Sequence, residues 1–395
     1  MKFVIFKHFE HLKKYTLTTA LCILISMIGC TGKETIQKNI RHVKVYYEEG
    51  RFAGWPANHG IWIWEDEILV GFVEASHKKR EGHTYERSTA RDKYARSLDG
   101  GQSWSIEDAY EHGQTGWRYN NQLSDDKSEP TTELTKPINF NNPDLALTFL
   151  RQTNHTGPSH FYYSYDRGKV WNGPFKLQNF GTEGVATRTD YLIDGQNELT
   201  AFLTAAKSNG EEGRVLSVRT TDGGKSWERV SWMGDEPEGF EIMPSSVRIS
   251  PSEILTVVRH RTGEGHDKLT SYLSTDNAKT WQKLDDPVKN TGSGGSPPAL
   301  LKLDDDSLAL AYIVRKNEGD GSRVCMKFST DDGYTWSDEI VLREDGATGD
   351  VGYPRMVQRP DDKLVLVYYW NNALKKDAPP YRYIAATIFD PEDLR

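Results

Sequence analysis

Short runs in which apolar and polar residues alternate recur from His42 to Phe389, each bounded by Gly, Asp, Asn or Pro. A two-residue period with that punctuation predicts β-strands joined by tight turns. The runs fall into groups of one layout: a short apolar strand, a polar turn, a longer apolar strand, a variable loop, a third strand and then a fourth. In the first group these are GIWIW (60–64), EDE, ILVGFVEA (68–75), a loop from Ser76 to Asp92, and KYARS (93–97). The third reads RTDYLID, GQNE, LTAFLTAAK, SNGEEG and RVLSVRTTD; the fourth reads MPSSVRIS, PSE, ILTVVRHR, TGEGHD and KLTSYLSTD. A last group reads YPRMVQR, PDDK, LVLVYYW, a loop and RYIAATIF, and has no fourth strand. The unassigned run HVKVYYEE at 42–49 can supply it. Closing the sheets into a ring in this way leaves no first or last edge open.

In five groups the third strand ends in one eight-residue pattern: SLDGGQSW, SYDRGKVW, TTDGGKSW, STDNAKTW and STDDGYTW. The closing tryptophans fall at 104, 171, 227, 281 and 336, with gaps of 67, 56, 54 and 55 residues. A near-constant period with a turn signature marks a repeat architecture. The Asp can accept backbone N–H groups in an Asx-type turn, the Gly permits positive φ, and the Trp anchors the hairpin on its sheet. Ala278 replaces that Gly once, which predicts a tighter or distorted turn there. The repeated pattern resembles the Asp-box of the sialidase superfamily of β-propellers. The resemblance implies an all-β, six-bladed β-propeller with the N-terminal strand closing the last blade. It also implies that the Asp-boxes lie on the side away from the active site.

The chain has 395 residues and 11% aromatic residues, which suits one large β-rich domain. The first residues read as an export segment: Lys7, Lys13 and Lys14 flank an apolar run from Thr16 to Ile28, and Ser26-Met27-Ile28-Gly29-Cys30 resembles a bacterial lipobox. The run is too short to span a bilayer. The expected organisation is therefore a removed leader at 1–29, a tether at 30–41 carrying lipid on Cys30, and the propeller at 42–395. That places the protein in the cell envelope, held to a membrane through the anchor alone. Cys325 is then left as a single thiol, so packing and not a disulfide must hold the fold. Removing a leader of net +3 from a chain of net −8 leaves −11, a surface that argues against nucleic acid as partner. A monomer is expected. A long polar excursion is expected over 111–136.

The layout also sorts candidate residues by place. In each blade the start of the first strand, the end of the second and the start of the third share one end, opposite the Asp-boxes. That end carries His59 and His77, then Arg151, then Arg188, Asp190, Lys207 and Arg214. It continues with Glu241, Met243, Arg259 and Arg261, then Arg315 and Arg323, and finally Tyr353, Arg355 and Trp370. Asp144 falls in a turn at the other end and is left out. So many cations at one place on an acidic protein point to a small anionic ligand held by arginine forks. No metal-ligand spacing, nucleotide loop or Ser-His-Asp pattern is present, and no cofactor is expected.

Sialidases combine an arginine triad, a tyrosine nucleophile assisted by a glutamate, and an aspartic acid. By resemblance Tyr353 stands where that tyrosine should be, Arg259 stands for the second arginine and Arg323 for the third. Met243 occupies the glutamate's place, with Glu241 the nearest carboxylate. The place of the first arginine reads Asn58-His59-Gly60-Ile61, and the first blade's loop offers His77, His83, Glu86 and Asp92 in place of the acid. The expected site has Tyr353 and Glu241 together on the floor, Arg188, Arg259, Arg323 and Arg355 around them, and His59 at the rim. Asp190 and His77 are further proton-transfer candidates, and Arg151, Lys207 and Trp370 further substrate contacts. Three functions remain open: an exo-glycosidase on a terminal acidic or sulfated sugar, a lyase of uronate polymers, and a non-catalytic glycan-binding propeller using Trp55 and Trp370.

Overall fold

Each strand group forms its own antiparallel sheet, and six such sheets make the six blades of a β-propeller in this computed structural model. It describes residues 39–80, 82–114, 130–263, 266–315, 321–347, 349–372 and 380–395. The leader and Cys30 lie outside the described residues, as does most of the polar excursion. Blade one holds Arg51–Gly54 with Ile61–Trp64, then Glu67–Ser76, Arg91–Ser97 and Ser105–Asp108. Blade six holds Gly352–Gln358, Leu364–Trp370 and Tyr383–Phe389, and its outer strand is Arg41–Tyr46 from the start of the domain. The ring closes as the orphan run predicts.

Apolar packing between neighbouring blades holds the ring. Phe52, Val70 and Phe72 of blade one pack with Val365, Val367 and Ile384 of blade six. Corresponding clusters join blades one and two, two and three, three and four, four and five, and five and six. Each fully buried large side chain contributes about 1.5–3 kcal/mol. Cys325 is a buried free thiol in the blade four–five cluster, and burial pushes its pKa up.

The Asp-boxes form the expected turns. Asp331 accepts the Thr335 N–H at 2.9 Å and its hydroxyl at 2.6 Å, and Trp336 Nε1 donates to Gly333 O at 3.2 Å. The turn at Ala278 is not distorted: Ala278 takes φ 64° and its N–H still reaches Ser274 Oγ at 2.9 Å. What changes is Trp281, whose Nε1 donates to Ser231 Oγ on blade three at 3.0 Å.

The inner strands depart from the regular layout, and these departures build the site. In blade six, Tyr353 and Pro354 stand opposite the single residue Tyr368 in the strand register, a β-bulge. Blade four repeats it with Met243 and Pro244 opposite Val258. In blade one the same place swells, and residues 55–60, with the helical turn Pro56–His59, face only 71 and 72. In blade three, residues 186–190 face 202–204. Trp55, Met243 and Tyr353 all have positive φ (62°, 57° and 55°) and all precede proline. Non-glycine residues avoid that region, and a following proline disfavours helical geometry further. Such strain costs about 1–3 kcal/mol per residue and clusters at functional sites.

Blade two lacks an inner strand among the described residues, contrary to the expected layout. Its inner edge, the buried strand Ala146–Arg151, is satisfied by threonines of blade three. Phe149 N donates to Thr189 Oγ1 at 3.0 Å and Thr187 Oγ1 donates to Leu150 O at 3.1 Å.

Candidate active site

The turn Pro56–His59 meets five blades. His59 Cβ fills the space a side chain on Gly71 would need, the His59 carbonyl accepts Thr148 Oγ1, and the Asn58 carbonyl accepts Thr189 N. Ala57 packs with Met243 of blade four, and its carbonyl accepts Arg355 Nη2 of blade six at 2.6 Å. A segment with those neighbours lies at the centre of the ring. Tyr353 packs against the same cluster, so the two bulges and the helical turn converge there.

Two arginines frame the Tyr353 ring. Arg259 Nη1 donates to Tyr353 Oη at 3.3 Å, and its guanidinium carbon lies 5.9 Å from the ring centre. The Arg315 guanidinium lies 5.7 Å from the same centre. Both donate to one acceptor, Gly294 O, and Arg315 also reaches Val351 O at 2.7 Å and Tyr369 Oη at 3.3 Å. Both are buried, and among the described residues neither makes an ion pair. Burial, with the neighbouring charges of Arg315 and Arg261, holds the Arg259 pKa below its ordinary value despite Tyr353 and Asp267. The backbone is pinned as well. Tyr353 N donates to Ser296 Oγ at 3.2 Å, and a Cβ on Gly352 would come within 2.6 Å of that oxygen.

Beyond Tyr353 the network continues. Tyr369 meets Tyr353 edge-on at 5.8 Å and donates its hydroxyl to Asp350, whose Oδ1 also lies 2.8 Å from His83 Nδ1. Trp55 meets the His83 ring edge-on at 4.9 Å. Arg382 Nε donates to the Asp350 carbonyl at 2.9 Å.

Several expected roles need correction. Glu241 does not join Tyr353: its oxygens take Tyr272 Oη at 2.9 and 3.0 Å and lie 3.0 Å from His260 Nδ1. It lines a separate cleft of about 420 Å³ with Glu238 and Trp281. Ile242 and Met243 face Tyr353 instead. His59 is not at the rim; it is 1% exposed and its Nε2 meets Asp92 Oδ1 at 2.9 Å. Arg188 is paired with Glu212 through both terminal nitrogens, and Arg323 with Glu339 at 2.7 Å, so neither is offered to a ligand. Trp370 is buried and bonded to Asp345, and it is Tyr369 beside it that faces the site.

Others are placed without being drawn into the tyrosine cluster. Arg151 donates to Thr187 O, Lys207 Nζ donates to Gly239 O at 2.6 Å, and His77 packs edge-on to Tyr381 at 5.0 Å. Burial, helped by Arg382, lowers the His77 pKa. Arg355 serves the central turn through Ala57 O and Thr189 O.

Asp190 is buried and accepts both the backbone N–H and the hydroxyl of Ser246. Burial pushes its pKa up to about 7, against the pull of Arg355 and the Ser246 bonds. Between about pH 4 and 7 the folded chain therefore holds a proton that the unfolded chain has lost. Stability attributable to this group falls as pH rises through that window and is fully lost above it. Asp190→Asn should accordingly gain about 2 kcal/mol more over the parent at pH 8 than at pH 5, read from denaturant melts at the two pH values. An equal change at both would assign Asp190 an ordinary carboxyl.

Asp350, Tyr369 and Arg382 are the groups that the site adds to the sequence reading, which placed Arg315 at this end and His83 in the first blade's loop. The repeat itself carries a signal for Arg315. It follows the second strand of blade five as Arg259 ends the corresponding run VVR in blade four.

Residues 94–366 match the family described as BNR repeat-like domain. No curated protein matches the chain. Among solved structures, a protein of unknown function from Dyadobacter fermentans aligns with a TM-score of 0.65 at 20% identity, covering 89% of this chain and 99% of that one. The NanB sialidase of Streptococcus pneumoniae aligns at 0.58 and 11% identity, covering 88% and 70%. An α-L-arabinanase of Penicillium chrysogenum aligns at 0.56 and 12%, covering 89% and 98%. These likenesses establish the fold.

Proposed function

The chain belongs to the BNR repeat-like domain family, and from that premise we propose that it is a glycoside hydrolase acting on a terminal acidic sugar. One observation carries the reading. Arg259 and Arg315 are buried side by side against Tyr353, share Gly294 O, and have no carboxylate partner among the described residues. Uncompensated buried cations are costly unless an anion neutralises them. A carboxylate or sulfate bridging the two guanidiniums would do so and would set the sugar against the Tyr353 hydroxyl. The Tyr353 hydroxyl, held by Arg259, is the group placed to attack an anomeric carbon. Sialidase and arabinanase activities reported for propellers of like fold support this class of chemistry.

The test is incubation of the purified protein with a panel of glycans ending in sialic, uronic or sulfated sugars, beside neutral controls. Release of a reducing acidic sugar is the expected result. Ultraviolet absorbance from an unsaturated uronate would replace the reading with a lyase, and binding without turnover would replace it with a lectin.

A further inference from the structure

We infer that His83, oriented by Asp350, is the proton donor to the leaving group in the proposed hydrolysis. The inference rests on the hydrolase reading above and adds a catalytic residue to it. Hydrolysis of a glycosidic bond needs an acid that is both reachable and replenished, and the other titratable groups near the centre fail on one count or the other. Glu241 is engaged by Tyr272 and His260 on a separate cleft, the oxygens of Asp190 are engaged by Ser246, and His59 is buried on Asp92. His83 differs: its side chain is 43% exposed while its Nδ1 is buried 2.8 Å from Asp350 Oδ1. The exposed edge of the ring is thus the one that carries Nε2.

The support behind His83 is built. Asp350 is 9% exposed, and its Oδ1 also takes the Tyr369 hydroxyl. Burial alone would raise the Asp350 carboxyl, but the bond and charge of His83, then Arg382 and Arg315, outweigh it and keep it ionised. A buried carboxylate at Nδ1 fixes the imidazole's orientation and tautomer. Trp55 holds the ring from the side, and Trp55 itself is fixed by the strained entry to the central turn. Tyr369 joins this pair to the Tyr353 site, since it contacts Asp350, Arg315 and Tyr353 together.

The step balances as follows. The Tyr353 oxygen forms a bond to the anomeric carbon as the glycosidic bond breaks; that bond's electron pair goes to the leaving oxygen, which takes the Nε2 proton and departs as an alcohol. The neutral imidazole then takes a proton from the water whose oxygen adds to the anomeric carbon, the bond to Tyr353 breaks with its electron pair returning to the Tyr353 oxygen, and His83 is restored. Asp350 does not react; it is a positioning residue.

The experiment compares leaving groups. For the acidic sugar that the panel identifies, the 4-nitrophenyl glycoside needs little proton donation and the methyl glycoside needs it fully. His83→Gln should lower kcat on the methyl glycoside about 10²-fold and on the nitrophenyl glycoside by less than about tenfold. It should also erase the basic limb of the pH profile. Asp350→Asn should lower kcat on the methyl glycoside more than on the nitrophenyl glycoside while Arg315, Arg382 and Tyr369, the other polar groups facing the pair, stay in place. Imidazole nitrogen spectra of the unaltered chain should show an Nδ1 signal that shifts in Asp350→Asn, as the Nδ1 contact requires. Equal losses on both glycosides, or an unchanged basic limb in His83→Gln, would overturn the assignment and leave the hydrolase reading standing. No cleavage by the unaltered chain would overturn the hydrolase reading, and the donor role with it.

Discussion

Tyr353→Phe should fold as the parent does and cleave the acidic glycan about 10³-fold more slowly, the loss expected when an attacking or proton-bearing group is removed. The substitution deletes one oxygen. The polar partner of that oxygen is Arg259 Nη1 at 3.3 Å, a long bond whose loss costs about 1 kcal/mol or less. The ring's packing against Tyr369 and the blade-four cluster is kept, and so is the Ser296 bond to its backbone. Melting temperature and kcat therefore separate cleanly: the first should move by a degree or two, the second by three orders of magnitude. Full activity in Tyr353→Phe would remove the tyrosine from the chemistry and leave the arginine pair as a binding device alone.

The fold is legible in the sequence because its determinants are local. Strand alternation in ILTVVRHR or LVLVYYW marks a strand whatever packs on it, and the Asp of an Asp-box turn makes its contacts within five residues, as Asp331 does with Thr335. Even closure of the ring follows from a local surplus, the strand Arg41–Tyr46 without a partner in its own group. Blade two is different. Its inner edge is capped by Thr187 and Thr189 of the next blade, a long-range substitution of side chains for a strand that no local pattern announces.

The misplaced site residues share one cause. Position along a strand gives a residue's level in the ring, but the side on which it emerges depends on parity, and a one-residue shift reverses it. Glu241 stands next to Ile242 and Met243, and it is the latter two that face Tyr353. Trp370 is buried next to Tyr369, which contacts the site. Arg323 pairs in register with Val314 and turns to Glu339, while Arg315, one residue further along, reaches Tyr353. The bulges after Ile242 and Gly352 reset parity at the level where it matters. Tyr353 and Arg259, read from the family pattern, do meet in the structure, because that pattern carries the bulge with it.

Arg259→Met should show opposite effects on binding and on stability. The guanidinium is buried, is repelled by Arg315 and Arg261, and makes no ion pair among the described residues. Methionine of similar length removes the uncompensated charge and keeps apolar contact with Phe240 and Tyr353. It gives up the long bond to Tyr353 Oη, worth about 1 kcal/mol or less, and the bond to Gly294 O, worth about 1.5–3 kcal/mol with a charged donor, but it also removes the desolvation cost of the ion. The ligand-free variant should therefore melt at or above the parent. Binding should move the other way. A carboxylate held by two guanidiniums that loses one forfeits about 2–5 kcal/mol, or roughly 30- to several-thousand-fold in Kd. Because the pair is buried, parent affinity should change little between low and physiological salt, unlike that of a surface patch. Calorimetric titration with the acidic sugar and a thermal melt of each protein read both quantities. A variant that melts well below the parent would show that Arg259 is structural, and one that binds the acidic sugar as tightly as the parent would place the anion elsewhere.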